Sequence, residues 1–214
     1  MVLDLTPDEL LSTTRSVRKR LDLERPVERF VIEECIDLAI QAPTGSNAQG
    51  WHWVVVEDAD LKRQIADHYA ASFDPYIDMP SASYVEADPR AQRQDAVKSS
   101  ATYLRDHFHE VPTMVVPCQW GRLPDDAPSF AHASYWGSIL PAVWSFMLAL
   151  RSRGLGSAWT TLHLPREREV ADLLGIPFDQ CTQAGLFPVA YTKGTDFKKA
   201  SRVPASEIIH WDHW

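Results

Sequence analysis

Two guanidinium groups and a hydroxyl stand within four residues at Arg15-Ser16-Val17-Arg18. Arginine grips phosphate through a bidentate, charge-assisted fork, and serine adds a donor, so this segment suits a single phosphate group. A solvated basic turn has the same composition and is the competing reading. A second candidate is Ala42-Pro43-Thr44-Gly45-Ser46-Asn47-Ala48-Gln49-Gly50-Trp51. Its small residues let a planar ligand approach the backbone. Asn47 and Gln49 each offer both a donor and an acceptor, as the polar edge of a heterocycle requires. Ordinary turn punctuation would look similar. A third segment, Gly154-Leu155-Gly156-Ser157-Ala158-Trp159-Thr160-Thr161, resembles a Gly-rich nucleotide loop only superficially. The third glycine of GxGxxG would fall on Trp159, and the segment follows a helix, so it reads as a helix cap leading into a buried strand.

Other chemistries find little support. His107 and His109 lie two apart, His210 and His213 three apart, and neither pair has a third ligand nearby in sequence. HExxH and GxSxG are absent, which argues against a metal site and a serine nucleophile. Cys35, Cys118 and Cys181 are odd in number and form no CxxC, which fits a reducing compartment rather than a disulfide framework. The net charge is −8 and the only basic cluster is Arg15 to Arg20, so no nucleic-acid partner is expected. The N-terminus lacks the basic and apolar regions of a signal peptide. No apolar run approaches the ~20 residues that span a bilayer. The expectation is a cytoplasmic protein with no membrane partner.

The candidate residues must be positioned by elements whose pattern is readable. With 214 residues, 45% of them hydrophobic, the chain can build one sizeable core and one domain. Thr6-Pro7-Asp8-Glu9 is a capping box that opens a short helix towards Thr14. A second helix is expected over 28–41, with Val31, Cys35, Leu38 and Ala42 on one face. Trp51 to Val56 reads as a strand, and Asp58 opens a helix through about Ala70. Residues 73–89 read as irregular. A helix from about Arg90 to Phe108 and a buried strand from Thr113 to Val116 follow. Ser134 to Arg153 is apolar on all sides, so a partner subunit is the expected way to bury it. Pro141 must either kink this helix or lie near its start. Gly156 to Thr161 and Gly185 to Tyr191 read as strands, with a short helix over Pro165 to Leu174 between them. The mixture implies a single α/β or α+β domain.

In this order, the segments resemble the nitroreductase family. The shared pattern is a short first helix, Arg-Ser-x-Arg, then a helix ending in Ala-Pro-Thr-x-x-Asn-x-Gln-x-Trp before a strand. An apolar helix then runs into Gly-Leu-Gly-Ser, and Arg-x-Pro-x-x-Glu closes the chain at Arg202 to Glu207. The resemblance implies an α+β fold, with a central, mostly antiparallel sheet flanked by helices in an intertwined homodimer. It also implies a single domain over 1–214 whose segment 203–214 packs on the partner, and FMN bound at the interface. By the same resemblance, Arg15, Ser16 and Arg18 would hold the FMN phosphate and ribityl chain, with Arg202 reaching the phosphate. Asn47 would bond the pyrimidine edge. Pro43, Thr44, Gly45 and Ser46, with Gln49, would line the flavin from the other chain. Backbone N–H groups near Thr160, Thr161 and Leu162 would face flavin N5 and O4.

Some positions depart from the family pattern. Thr14 stands where a second Arg is common, Arg20 where an aromatic is common, and Ala200 where a basic residue is common. Phosphate binding could therefore lean on Lys198 or Lys199. Thr161 replaces a carboxylate found in one branch. The activity implied is an FMN-dependent NAD(P)H oxidoreductase that reduces nitroaromatic or quinone-like acceptors by a ping-pong mechanism. Dehalogenation, desaturation or a non-catalytic flavin-binding dimer are the alternatives on the same fold.

Overall fold

The computed structural model describes residues 2–80, 84, 88 and 91–214. Its helices are α1 (Pro7–Thr13), α2 (Arg29–Ala39), α3 (Ala59–Ile77), α4 (Gln94–His107), α5 (Ser129–Ser152) and α6 (Glu167–Leu174). Its strands are β1 (Trp51–Val56), β2 (Thr113–Trp120), β3 (Leu155–Ser157), β4 (Cys181–Gln183) and β5 (Phe187–Tyr191). The capping box forms as its residues dictate: the Thr6 hydroxyl accepts from the Glu9 amide at 3.3 Å, and Glu9 Oε2 accepts from the Thr6 amide at 2.8 Å.

The strands form one sheet of order β1-β2-β5-β3, and β4 pairs with β2 beyond the end of β5. All four ladders are antiparallel. Alternation along β2 sends Met114, Val116 and Cys118 into an apolar cluster with α3 and α6, while Val115 faces a second cluster with α2 and α5. Helices thus cover both faces of an antiparallel sheet, which is the α+β arrangement expected. Cys35, Cys118 and Cys181 are free and buried, and burial pushes the Cys35 thiol up to about 11.

Several boundaries differ from the sequence expectation. Strand β2 runs four residues past Val116, through Pro117. The ladder to β5 ends at Val115 and that to β4 begins at Cys118, so Pro117 falls between the two partners. Its carbonyl accepts from the Ala184 amide at 2.8 Å, and the N–H it lacks would have faced that same bend. Strand β4, only three residues long, was not anticipated. Helix α3 continues to Ile77 and carries Pro75, because Tyr69 and Phe73 are buried and their rings stack with centroids 5.8 Å apart. Tertiary packing here overrides the local stop signal. On α2 the buried face is Val31, Ile32, Cys35 and Ala39, whereas Leu38 is exposed.

Helix α5 starts five residues earlier than expected, so Pro141 lies in its middle rather than near its start. The Gly137 carbonyl loses its helical donor there, and Gly137 is exposed in the single chain. By length and composition α5 could cross a bilayer, nearer to that limit than the sequence reading allowed. Ile139, Val143, Phe146 and Leu150 are nonetheless fully buried in the core. Phe130 and Trp144 leave a stripe of the same helix uncovered, and every residue from 201 to 214 is exposed.

The edge strand β3 brings the first candidate segment onto the sheet. The Val17 amide donates to the Ser157 carbonyl at 2.8 Å, and Ser16 bridges Ser157 in parallel. Gly156 makes this approach possible: a Cβ there would lie 2.7 Å from Thr192 Cγ2 and 2.9 Å from Val17 Cβ. Gly156→Ala is therefore expected to lower stability by about 1–3 kcal/mol through overpacking. Urea denaturation of the two proteins measures it, and an unchanged midpoint would mean that the backbone yields freely.

Candidate active site

The turn after α1 exposes its polar side chains because Val17, buried at 5% exposure, ties the backbone down between them. Arg15, Ser16 and Arg18 line a cavity of about 560 Å³, together with Arg202 from the far end of the chain and Arg93 from the start of α4. Arg15 Nη1 donates to the Lys198 carbonyl at 2.8 Å, and Arg18 Nη1 to Ser100 Oγ at 3.3 Å. Among the described residues, no carboxylate pairs with Arg15, Arg18 or Arg202. Burial lowers the pKa of both Arg15 and Arg18, and the Arg202 and Arg93 charges lower Arg15 further. A cluster of like charges with no such carboxylate partner among the described residues is a candidate anion site. Arg20 lines the same cavity, but it is paired with Asp196 at 2.6 Å and packs over Phe197. Neither Lys198 nor Lys199 lines the cavity, whereas Arg93 does.

A second cavity of about 500 Å³ shares Arg18, Val97 and Trp159 with the first. Tyr69, Phe73 and Tyr76 of α3 and Lys98 of α4 form one wall, and Thr160, Thr161 and Leu162 form another. The two cavities make one crevice, cationic at one end and aromatic at the other. That shape suits a ligand with a phosphate at one end and a planar ring at the other.

The Thr160–Leu162 wall corrects one expectation. The Thr160 amide donates to the Leu186 carbonyl at 3.2 Å, and its hydroxyl donates to the same oxygen at 2.6 Å. Its N–H is thus engaged in extending the sheet and faces no ligand. The Thr161 and Leu162 amides make no hydrogen bond among the described residues. Both residues line the cavity, so these amides are candidate donors at its edge.

The amide-bearing bend does not join the crevice of its own chain. Pro43, Thr44, Gly45, Ser46, Asn47 and Gln49 line neither cavity. They sit against α5, where the Gly45 amide donates to Ser138 Oγ at 3.0 Å. Ser46, Asn47 and Gln49 all have positive φ, at 53°, 53° and 49°. Such conformations cost about 1–3 kcal/mol each in non-glycine residues and cluster at functional sites. Thr44 holds the bend: its carbonyl accepts from the Asn47 amide and its hydroxyl from the Gln49 amide, both at 3.2 Å. Gln49 Nε2 donates to Asn47 Oδ1 at 2.9 Å, so the two amides form one exposed polar edge.

Sequence reasoning missed Trp159, Tyr69, Lys98 and Arg93 as crevice residues. Arg93 carried a signal, since a cation at a helix N-terminus opposes the macrodipole and so points to another use. The aromatic wall carried none, because tyrosine and phenylalanine at helical spacing read equally well as core.

Directly after Leu162 stands His163, fully buried, with Nε2 3.1 Å from Gln183 Oε1. Burial lowers its pKa from 6.5 to about 4. The unfolded chain therefore takes up this proton before the folded one does. Stability is intact above pH 6.5 and falls as pH drops towards 4, by about 3 kcal/mol over the window. Replacing His163 with Gln should flatten the unfolding free energy across that range. An unaltered pH slope in chemical denaturation would assign the acid lability elsewhere.

A sequence profile for the nitroreductase family matches residues 11–191. An Archaeoglobus fulgidus protein named for NADH dehydrogenase/NAD(P)H nitroreductase activity is 26% identical over 210 residues, covering 96% of this chain and 97% of the relative. An iodotyrosine deiodinase of Thermotoga neapolitana is 25% identical over 201 residues, with 94% of each chain covered. Among solved structures, oxidised iodotyrosine deiodinase bound to FMN and 3-iodo-L-tyrosine superposes with a TM-score of 0.73 at 24% identity, covering 96% of this chain and 98% of that one. An FMN- and NADPH-dependent nitroreductase superposes with a TM-score of 0.70 at 21% identity, covering 98% and 100%.

Proposed function

The chain belongs to the nitroreductase family, and from that premise we propose that it is an FMN-dependent oxidoreductase working as a homodimer. It takes electrons from NAD(P)H and delivers them to a nitroaromatic or quinone-like acceptor. The observation that carries this reading is the crevice that joins Arg15, Arg18 and Arg202, which have no carboxylate partner among the described residues, to the Thr161 and Leu162 amides, which have no hydrogen-bond partner among them.

FMN fits the chemistry of these donors. Arg15, Ser16, Arg18 and Arg202 hold its phosphate and the adjoining chain. Thr161 and Leu162 donate to the N5 and O4 edge. The partner's bend, Pro43 to Gln49, closes the site and offers Asn47 to the pyrimidine edge; the exposed α5 stripe and the segment 203–214 pack between the subunits. When bound, FMN supplies the two-electron relay that lets donor and acceptor use one pocket in turn. The protein's part is to place it and to stabilise electron density gained at the ring, through positive charge at one edge and N–H donors at the other. No side chain is assigned as general acid or base. A cytoplasmic setting fits the three free thiols.

A deiodinase relative that matches 94% of the chain favours a second reading, reductive dehalogenation at the same flavin. The test of the first reading is the visible spectrum of the purified protein. Flavin bands that bleach with NADH or NADPH and return on adding a nitroaromatic support it. Halide release from a halogenated tyrosine with no turnover of nitro compounds favours the second. A protein that stays colourless in excess FMN ends both.

A further inference from the structure

We propose that His163 is a positioning residue for the flavin edge, clamping one end of the turn that presents the Thr161 and Leu162 amides to the crevice. The proposal rests on the FMN reading above. The turn is held at two points. At its start, Thr160 exchanges two backbone hydrogen bonds with Leu186, at 3.2 and 2.9 Å. At its end, His163 is held by a buried chain of polar groups.

The hydrogen bonds along that chain fix the state of the imidazole. Gln183 Nε2 donates to the Glu167 carbonyl at 2.9 Å, which leaves Gln183 Oε1 facing His163 Nε2 at 3.1 Å. An oxygen there can only accept, so Nε2 carries the proton. His163 Nδ1 then holds a lone pair with no partner among the described residues. A second proton on Nδ1 would meet no acceptor, so the ring is neutral. Both His163 and Gln183 are 0% exposed.

The far end of the chain is anchored firmly. Glu167 Oε1 accepts from the Gln183 amide at 2.8 Å, and the same carboxylate takes a two-pronged grip from Arg122, at 2.8 and 3.1 Å. Arg122 also donates to the Phe178 and Cys181 carbonyls, at 2.8 and 2.9 Å. The turn is thereby tied to α6, β4 and the loop between them. Between its two anchors the Thr161 and Leu162 amides have no partner among the described residues. Donors fixed in advance stabilise charge without reorganisation, and they act most on the state with more electron density at N5 and O4. His163 thus serves the reduced flavin more than the oxidised one, without touching either.

The test compares wild type with His163→Leu, His163→Gln and Gln183→Met, each loaded with FMN. The midpoint potential is read by equilibration with a redox dye at neutral pH, beside FMN affinity and thermal stability. His163→Leu is expected to weaken the preference for reduced over oxidised flavin about tenfold, a drop of about 30 mV for a two-electron couple. His163→Gln, which restores a donor near the Nε2 position, returns the potential to the wild-type value. Gln183→Met, which removes the acceptor, reproduces the drop even where His163→Leu fails to fold. A wild-type potential in Gln183→Met or in a loaded His163→Leu overturns the proposal, as does a drop that follows lost stability equally in all three variants. Wild-type protein that takes up no FMN overturns the flavin reading itself, a result distinct from an unmoved potential.

Discussion

Arg18→Ala combined with Arg202→Ala is expected to weaken FMN binding by at least about a hundredfold. Hydrogen bonds to charged groups contribute about 1.5–3 kcal/mol each, and every 1.4 kcal/mol is tenfold in affinity. Both side chains line the same cavity, and neither has a carboxylate partner among the described residues. That second fact predicts an opposite effect on the empty protein. Removing the partly buried Arg18 relieves its desolvation, and removing Arg202 relieves its repulsion of Arg15, so the apoprotein should hold or gain stability. A flavin titration and a thermal melt separate the two effects. Arg29→Ala with Arg63→Ala removes the same two charges from surface ion pairs with Glu57 and Asp60. This control should leave FMN affinity nearly unchanged. Equal affinity in the cavity variant and wild type would refute the phosphate assignment.

The second large effect concerns the subunit contact. Phe130 is 77% exposed, and the closing segment carries Ile208, Ile209, Trp211 and Trp214 at 64%, 49%, 84% and 102% exposure. Burying one such side chain stabilises by about 1.5–3 kcal/mol, so losing several should raise the dimer dissociation constant at least about a thousandfold. Phe130→Glu in a chain ending at Val203 should therefore sediment as a monomer at micromolar concentration. FMN should leave with the partner, because the bend carrying Asn47 lines no cavity of its own chain. A flavin-bound monomer would place the whole site within one subunit and contradict the proposed interface.

The parts of the architecture that were readable from residues alone are those where one local signal dominates. Thr6 and Glu9 cap α1 as their spacing demands, and β-branched and aromatic residues make Trp51 to Val56 the strand expected. Arg15, Ser16 and Arg18 were readable as a group because they stand within four residues, and they line one cavity. What escaped depends on distant partners. Pro117 stays in a strand because two other strands meet beside it, and α3 outruns Pro75 because Phe73 is buried. Nothing in the neighbourhood of Thr160 reveals that its amide pairs with Leu186 across the sheet. The hydrogen bond between His163 and Gln183 spans twenty residues and leaves no periodic trace.

The left-handed backbone at Ser46, Asn47 and Gln49 has a kinetic consequence. In the proposed dimer its distortion is settled when each subunit folds, so an arriving ligand would meet an edge already shaped. Capture would then be governed by diffusion and by the pull of the arginines on an anion. Discrimination between ligands should show in residence time rather than in the speed of encounter.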